Sequence, residues 1–284
     1  MKVLVLGVSG MLGHKAYQVF KEHGFETHGI MRQPLSRFEK FGLFDRKKVI
    51  DGIDVADIKK LGMAIQGIKP SLVINAIGVV KQVCDDPVPA ITLNSLFPHQ
   101  LAGICGANKA RLIQVSTDCV FSGKKGNYSE EDAPDADDLY GRSKLLGEVA
   151  YGSHLTIRTS IIGRELSTHH GLVEWFLSQK GQVNGYTKAV FSGLSTAELS
   201  RVIIQLSKKP DIKGPLNIGT GKIDKCSLLK LIKKEFGRDD ITIQPYGKFL
   251  CDRSLDISKM GKLGIRAQGY PEMVREMVND ALYQ

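Results

Sequence analysis

The sequence predicts an α/β protein, a doubly wound parallel sheet with a smaller C-terminal region. Three observations predict it. Short uninterrupted apolar runs, the mark of strands buried on both faces, occur at Val3-Leu4-Val5-Leu6, Leu72-Val73-Ile74 and around Leu112-Ile113. Segments of helical character separate them, so strand and helix alternate six times by about residue 160. A glycine-punctuated turn, Gly7-Val8-Ser9-Gly10-Met11-Leu12-Gly13, joins the first strand to the first helix.

Composition sets the bounds. At 284 residues, 42% hydrophobic and 24% charged, the chain has the balance of a globular protein with one large domain or two unequal ones. No apolar run approaches the length of a membrane span. Glycines and polar residues interrupt the apolar stretch that follows Met1, so no signal-peptide layout is read and a cytoplasmic location is expected. The net charge of +9 suits anionic ligands. The basic residues come as scattered pairs such as Lys47-Lys48 and Lys124-Lys125, without a long basic run interleaved with aromatics, so nucleic acid is not an expected partner. Five dispersed cysteines without a Cys-x-x-Cys argue against zinc and a disulfide framework. His169-His170 reads as loop, and no metal is expected.

In chain order, residues 2–7 read as a buried strand and His14 to His23 as a helix. The glycine turn between them lets backbone N–H groups approach a pyrophosphate at the helix N-terminus. The second strand, Glu26 to Met31, ends at Arg32. Dinucleotide sites for NAD usually carry an acid here to accept from the ribose 2′-OH; Arg32, with Arg37 nearby, suits the 2′-phosphate of NADPH, with NADH left open. Val49-Ile50-Asp51 reads as a short strand, and Asp54-Val55 leads into a helix from Asp57 to Ile68, stopped by Pro70. The strand from Leu72 to Gly78 ends in small residues that permit close approach to a ligand. Pro87 to Gly106 reads as mostly helical, with Asn94 expected to bridge neighbouring backbone. Strands follow at 111–116 and 155–159. Past residue 162 the regularity fades: 163–185, with the single tryptophan Trp175, reads as loop. Helices are expected at 196–207, at 227–236 and from Pro271, and a strand at 216–219. The expected division is a dinucleotide-binding Rossmann domain at 1–162 and a smaller substrate-binding region at 163–284, with 186–210 packing back on the first.

The chemistry centres on Ser116-Thr117-Asp118 and on Tyr140-Gly141-Arg142-Ser143-Lys144. A Tyr and a Lys four apart share one helix face. The phenol can give a proton to an oxygen acquiring negative charge, and the Thr117 hydroxyl can hold that oxygen. The Lys144 ammonium is expected to favour the phenolate and draw the Tyr140 pKa from about 10 toward neutrality. This is apparatus for carbonyl reduction by hydride. Tyr17 and Lys21 have the same spacing and read as ordinary helix surface. Cys119, beside the proposed site, reads as a small buried hydrophobe.

Taken together, these residues resemble the extended short-chain dehydrogenase/reductase superfamily, and within it are most similar to the dTDP-4-dehydrorhamnose reductase family. The matching pieces are the Gly7-Gly10-Gly13 turn, Asp54-Val55, Asn75-Ala76-Ile77-Gly78, Ser116 to Phe121, Tyr128 with Glu130-Glu131-Asp132, Tyr140-Gly141-x-x-Lys144 and Gly147-Glu148. The resemblance implies that Gly7, Gly10, Met11 and Leu12 contact the pyrophosphate and that Asp54 and Val55 border the adenine. Ala76, Ile77 and Gly78 would line the ribose and nicotinamide. Thr117, Tyr140 and Lys144 would form the catalytic triad, with Tyr140 and Lys144 also touching the cofactor. Lys81, Cys119 and Arg253 are the expected substrate contacts. The sequence departs from the family pattern at Cys119, Ile161 and Phe249-Leu250, which leaves the sugar and its nucleotide open. The implied activity is reduction of a nucleoside-diphosphate-linked 4-keto-6-deoxy sugar for polysaccharide precursors, by a monomer or homodimer. Asp118 is followed by Cys119 rather than an acid, which disfavours dehydration. A nucleotide-sugar epimerase remains an alternative. So does a non-catalytic subunit of the same fold, such as the regulatory β subunit of methionine adenosyltransferase, which resembles this family.

Overall fold

The structure, a computed structural model, describes residues 1–284. Its first half runs β1 (Lys2–Leu6), α1 (Met11–Glu22), β2 (Glu26–Ile30), β3 (Val49–Ile50), α2 (Ile58–Ile68), β4 (Leu72–Asn75), α3 (Pro87–Ala90), α4 (Phe97–Ala107), β5 (Arg111–Val115), α5 (Leu139–Leu146) and β6 (Leu155–Arg158). The second half runs β7 (Ile161–Ile162), α6 (Leu172–Ser178), β8 (Gly181–Phe191), β9 (Leu194–Ser195), α7 (Thr196–Ser207), β10 (Gly214–Asn217), β11 (Ile223–Asp224), α8 (Lys225–Glu235), β12 (Ile241–Asp252), α9 (Ser258–Lys262) and α10 (Tyr270–Val278).

Seven strands form one parallel sheet in the order β10-β6-β5-β4-β1-β2-β3. Alternate residues of β1 serve opposite faces. Val3 and Val5 join Ile74, Phe20 of α1 and Val202 of α7 in one apolar cluster. Leu4 and Leu6 join Val73, Leu61 of α2 and Leu101 of α4 in another. A strand covered on both sides must be apolar throughout, which is why its run is unbroken. Helix starts follow local capping chemistry. The carboxylates of Asp57 and Asp138 accept from the N–H groups of Lys60 and Gly141 at 2.9 and 2.7 Å. The glycine turn is sterically required, because a Cβ on Gly13 would lie 2.0 Å from the Gly7 carbonyl oxygen, and Gly7 has φ +78°.

Several expectations change. Residues 163–185 are not merely loop, since they hold α6 and the start of β8. With β11 and β12, β8 builds a second sheet in the order β11-β8-β12. The β12 sequence, with Pro245 and Gly247 and mostly exposed side chains, has no alternation to betray it; pairing of Ile241 to Tyr246 with Gly181 to Tyr186 makes the strand. The helix expected across Pro87 to Gly106 is interrupted by a π-helical turn at Ile91–Leu96. Tyr17 is not surface: it is 1% exposed and packs on Phe44 with ring centroids 5.4 Å apart. The main sheet also takes its last strand, β10, from the second half of the chain; α7, inside the 186–210 stretch expected to pack back on the first domain, lies against α1.

His14 of α1 is fully buried behind the glycine turn. Its Nδ1 donates to the Gly10 carbonyl oxygen at 2.8 Å, and its Nε2 accepts from the Tyr283 hydroxyl at 2.5 Å. The neutral ring is thus satisfied at both nitrogens, and burial pushes its pKa from 6.5 down to about 4. Between those values the unfolded chain binds a proton that the folded chain refuses, so stability falls as pH drops. The loss should total roughly 3 kcal/mol. Urea denaturation at neutral pH and near pH 4 should show it in the wild type, and His14→Gln should lose correspondingly less on acidification.

Candidate active site

A cleft of about 420 Å³ opens at the carboxyl ends of β1, β4 and β5. The strand order reverses beside β1, so this is the switch point of the sheet, where open α/β folds bind ligands. One wall is the N-terminus of α1, with Gly10, Met11 and Leu12. Another is the segment after β4, from Asn75 to Gln82. Thr117, Cys119, Tyr140 and Lys144 line the same cleft.

Thr117 is extended (φ −140°, ψ 155°) just past β5, and its Oγ1 accepts from the Cys119 N–H at 3.1 Å. Tyr140 lies in the first turn of α5, one turn before Lys144. Lys144 is 7% exposed, and its Nζ donates to the Val115 carbonyl oxygen at 2.7 Å. Burial pushes the Lys144 pKa down to about 8, while Glu148 opposes that. The ammonium therefore remains the major form at neutral pH.

The expected electrostatic coupling differs. The Tyr140 pKa is raised, not drawn toward neutrality. Burial of the phenol is the main cause, and the nearby Cys119 and Asp118 add to it; the Thr117 hydroxyl works the other way. The Lys144 ammonium is spent on the Val115 carbonyl. The phenol is neutral at pH 7 and holds a proton to give, as a weaker acid than free tyrosine.

A shell of buried bonds positions α5. Asn94, in the π-helical turn, accepts from the Val79 N–H at 2.9 Å and donates to the Val79 carbonyl and to Ser143 Oγ, both at 3.1 Å. It bridges backbone, as the sequence suggested. Gly147 ends α5 against that turn, where a Cβ would sit 1.8 Å from the Asn94 carbonyl oxygen. Glu148 accepts a bidentate bond from Arg158 at 2.8 and 2.7 Å and a third bond from Ser116 Oγ at 2.8 Å. Sequence reasoning gave Glu148 no role and missed Arg158. A Glu one turn after the Lys was the available signal, but its partner is distant in the chain.

The other expected contacts are divided. Ala76, Ile77, Gly78 and Lys81 line the cleft, and Lys81 pairs with Asp138 at 2.5 Å. Gly7 lies behind the turn, packed on Ile77. Arg32 and Asp54 are exposed, 3.9 Å apart and away from the cleft's lining, and Val55 is buried in the core beside Leu61. Arg253 stands outside the lining, donating through Nε to the Phe121 carbonyl at 2.8 Å. Cys119, expected to be a small buried hydrophobe, faces the cleft, and burial pushes its thiol up to about 12. Two features were missed: residues 165–171, read as loop, contribute to the cleft, and so does Lys225 of α8. No group of three or more His, Cys, Asp or Glu side chains is placed to hold a metal ion.

The α1 wall fits a dinucleotide phosphate. Gly10 caps α1 without a side-chain bond, so the first-turn N–H groups keep their donors free. A Cβ on Gly10 would meet only the Gly7 carbonyl oxygen, at 3.3 Å, so backbone there is open to close approach. On the opposite wall Lys144 Nζ lies 3.7 Å from where a Gly78 Cβ would be, so ligand, amine and strand end can meet.

Glu148→Gln should push the Lys144 pKa below about 8, because it removes the one negative neighbour that supports the ammonium. An NMR titration of the methylated lysine would read that shift. Breaking the buried pair with Arg158 should also cost roughly 3–5 kcal/mol in urea denaturation.

Comparison with known proteins gives the relationships of this chain. Residues 1–211 match the family model described as RmlD substrate binding domain. The chain is 33% identical to methionine adenosyltransferase 2 subunit beta of Xenopus laevis, over 93% of this chain and 83% of that protein. It is 26% identical to the spore coat polysaccharide biosynthesis protein SpsK of Bacillus subtilis, over 98% and 97%. The crystal structure of dTDP-4-dehydrorhamnose reductase from Bacillus anthracis in complex with NADP has the same fold, with a TM-score of 0.80 at 17% identity and 99% coverage of both chains. The family match along three-quarters of its length, with a relative one-third identical over nearly all of it, shows that this chain belongs to the dTDP-4-dehydrorhamnose reductase-like family of extended short-chain dehydrogenase/reductases.

Proposed function

We propose that this protein is an NAD(P)H-dependent reductase of a nucleoside-diphosphate-linked 4-keto-6-deoxy sugar, acting in polysaccharide precursor synthesis. One observation carries the reading: Thr117, Tyr140 and Lys144 share a cleft whose opposite wall is an uncapped helix start suited to a pyrophosphate. The relatives support it, since SpsK is named for polysaccharide biosynthesis and the Bacillus anthracis enzyme is a dehydrorhamnose reductase with NADP.

The chemistry that a bound reduced nicotinamide supplies is delivery of a hydride to the carbonyl carbon. The chain's residues do the rest. The first-turn N–H groups of α1 hold the pyrophosphate. Gly78 and Lys144 take the nicotinamide ribose. The Thr117 hydroxyl, turned from the Asp118 carboxylate, donates to the sugar's carbonyl oxygen and fixes its direction. As negative charge grows on that oxygen, the neutral Tyr140 phenol gives up its proton. The phenolate left behind is reprotonated from solvent, while Lys144, held on the Val115 carbonyl, serves the ribose. The raised Tyr140 pKa keeps the acid form present throughout the neutral range, and it also makes the phenol a weaker acid than free tyrosine.

The methionine adenosyltransferase relative favours a second reading, a non-catalytic subunit that binds a dinucleotide and a partner enzyme. Copurification of a stoichiometric partner, with no consumption of NADPH or NADH on any keto sugar, would select it.

The decisive assay follows loss of reduced-nicotinamide absorbance with dTDP- and UDP-4-keto-6-deoxyglucose. Tyr140→Phe should lower kcat by about 10² to 10⁴-fold with NADPH affinity within about twofold. Equal turnover in the variant would remove Tyr140 from the chemistry. Arg32→Ala should weaken NADPH by about tenfold, roughly 1.4 kcal/mol, and leave NADH affinity unchanged. An equal loss for both cofactors, by fluorescence titration, would take Arg32 off the 2′-phosphate.

A further inference from the structure

Lys225 opens α8 and projects into the cleft from the side of the second sheet. Its Nζ lies 3.8 Å from the centroid of the Phe191 ring, so the side chain rests on an aromatic face at the end of β8. It makes no hydrogen bond and no ion pair, unlike Lys81 and Lys144, the other lysines of the cleft. Asp118, next to Thr117, is 5% exposed and lines the same cleft. Its carboxylate accepts from the Thr117 hydroxyl at 3.2 Å. Lys225 and Asp118 feel one another's charge but are not in contact. The cleft therefore holds a half-buried donor and a buried acceptor facing a common space, each with hydrogen-bonding capacity unused.

We infer that Lys225 is a specificity-determining contact for the hexose of the substrate: its ammonium donates to a ring hydroxyl oxygen, and Asp118 accepts the proton of a neighbouring hydroxyl. Such a pair recognises a neutral polyol. A diphosphate is a poorer occupant of the same space, because the Asp118 carboxylate would repel it. A hydroxyl satisfies both groups without introducing charge, and a sugar lacking it would leave the half-buried Lys225 ammonium shielded from water and unpaired. Burial acts in the same sense, holding the Lys225 pKa below its ordinary value and the Asp118 pKa above, as expected of groups short of polar partners. This inference rests on the nucleotide-sugar reading above and adds which residue reads the sugar.

The test measures binding of dTDP-L-rhamnose, a UDP-linked 6-deoxyhexose, and free dTDP and UDP, by calorimetry in the presence of NADP⁺. Lys225→Met keeps the apolar stem over Phe191 and removes the charge; Lys225→Gln is the second variant, and NADPH affinity reports that each is folded. The expected result is at least tenfold weaker binding of the nucleotide sugar, with free nucleoside diphosphate within twofold and NADPH unchanged. In turnover, KM should rise by a similar factor while kcat changes less. Unchanged affinity for the nucleotide sugar in both variants would overturn the inference alone. An equal loss for the free nucleoside diphosphate would also overturn it, by making Lys225 a phosphate contact. Wild-type protein that binds no nucleotide sugar of either kind would overturn the substrate class itself, and the inference with it.

Discussion

The buried fork between Glu148 and Arg158 is the constraint on which the site depends. Both side chains are nearly inaccessible, at 7% and 5%. Arg158 ends β6, Ser116 follows β5, and Glu148 follows α5, so one carboxylate joins two strands to the helix that carries Tyr140 and Lys144. Burying such a pair gains little net stability, since desolvation offsets most of the attraction. What it supplies is position. A bidentate guanidinium fixes the carboxylate in two directions, and Arg158 is itself set over the Phe121 ring, 5.3 Å from its centroid.

The same carboxylate shapes the electrostatics of the cleft. Lys144 is one turn from Glu148, and that negative charge keeps the buried amine from losing its proton at neutral pH. No comparable cation is free for Tyr140, whose neighbours Cys119 and Asp118 both favour the neutral phenol. The division of labour follows from burial and distance: an amine kept charged and a phenol kept protonated, side by side on one helix face. The Asn94 clamp completes it by holding both the strand-end segment at Val79 and the helix at Ser143.

The second half of the chain works from the opposite side. β11 pairs antiparallel with β8 and delivers the chain directly into α8, so the start of that helix meets the cleft. Tyr128 and Leu255 bridge the two halves, and Asn217 donates to the Tyr128 carbonyl at 2.8 Å. Family-like residues such as Tyr128 and Glu130 therefore act here as fasteners: the Tyr128 ring stacks on Phe121 at 4.2 Å, and Glu130 accepts from the Asn217 N–H at 2.9 Å.

Much of this protein is decided locally, and so could be read from its residues in order. Unbroken apolar runs of four or so residues, bounded by turn residues, read as strands covered on both faces. A glycine turn after the first of them can only be a close strand-to-helix crossing. A Tyr and a Lys four apart must share a helix face. The second sheet was illegible because β12, with its proline, glycine and exposed side chains, is made a strand by its partner β8 rather than by its own pattern. Protonation was illegible for a related reason: the spacing of Tyr140 and Lys144 says nothing of the Val115 carbonyl that occupies the amine or of the burial that holds the phenol neutral. The sequence by itself determined the parallel sheet, the glycine turn and the shared helix face, because each depends on neighbours within a few residues. Only the tertiary structure decided the partners of Glu148, the charge state of Tyr140 and the arrival of Lys225 in the cleft, because each depends on groups that meet only after the chain has closed.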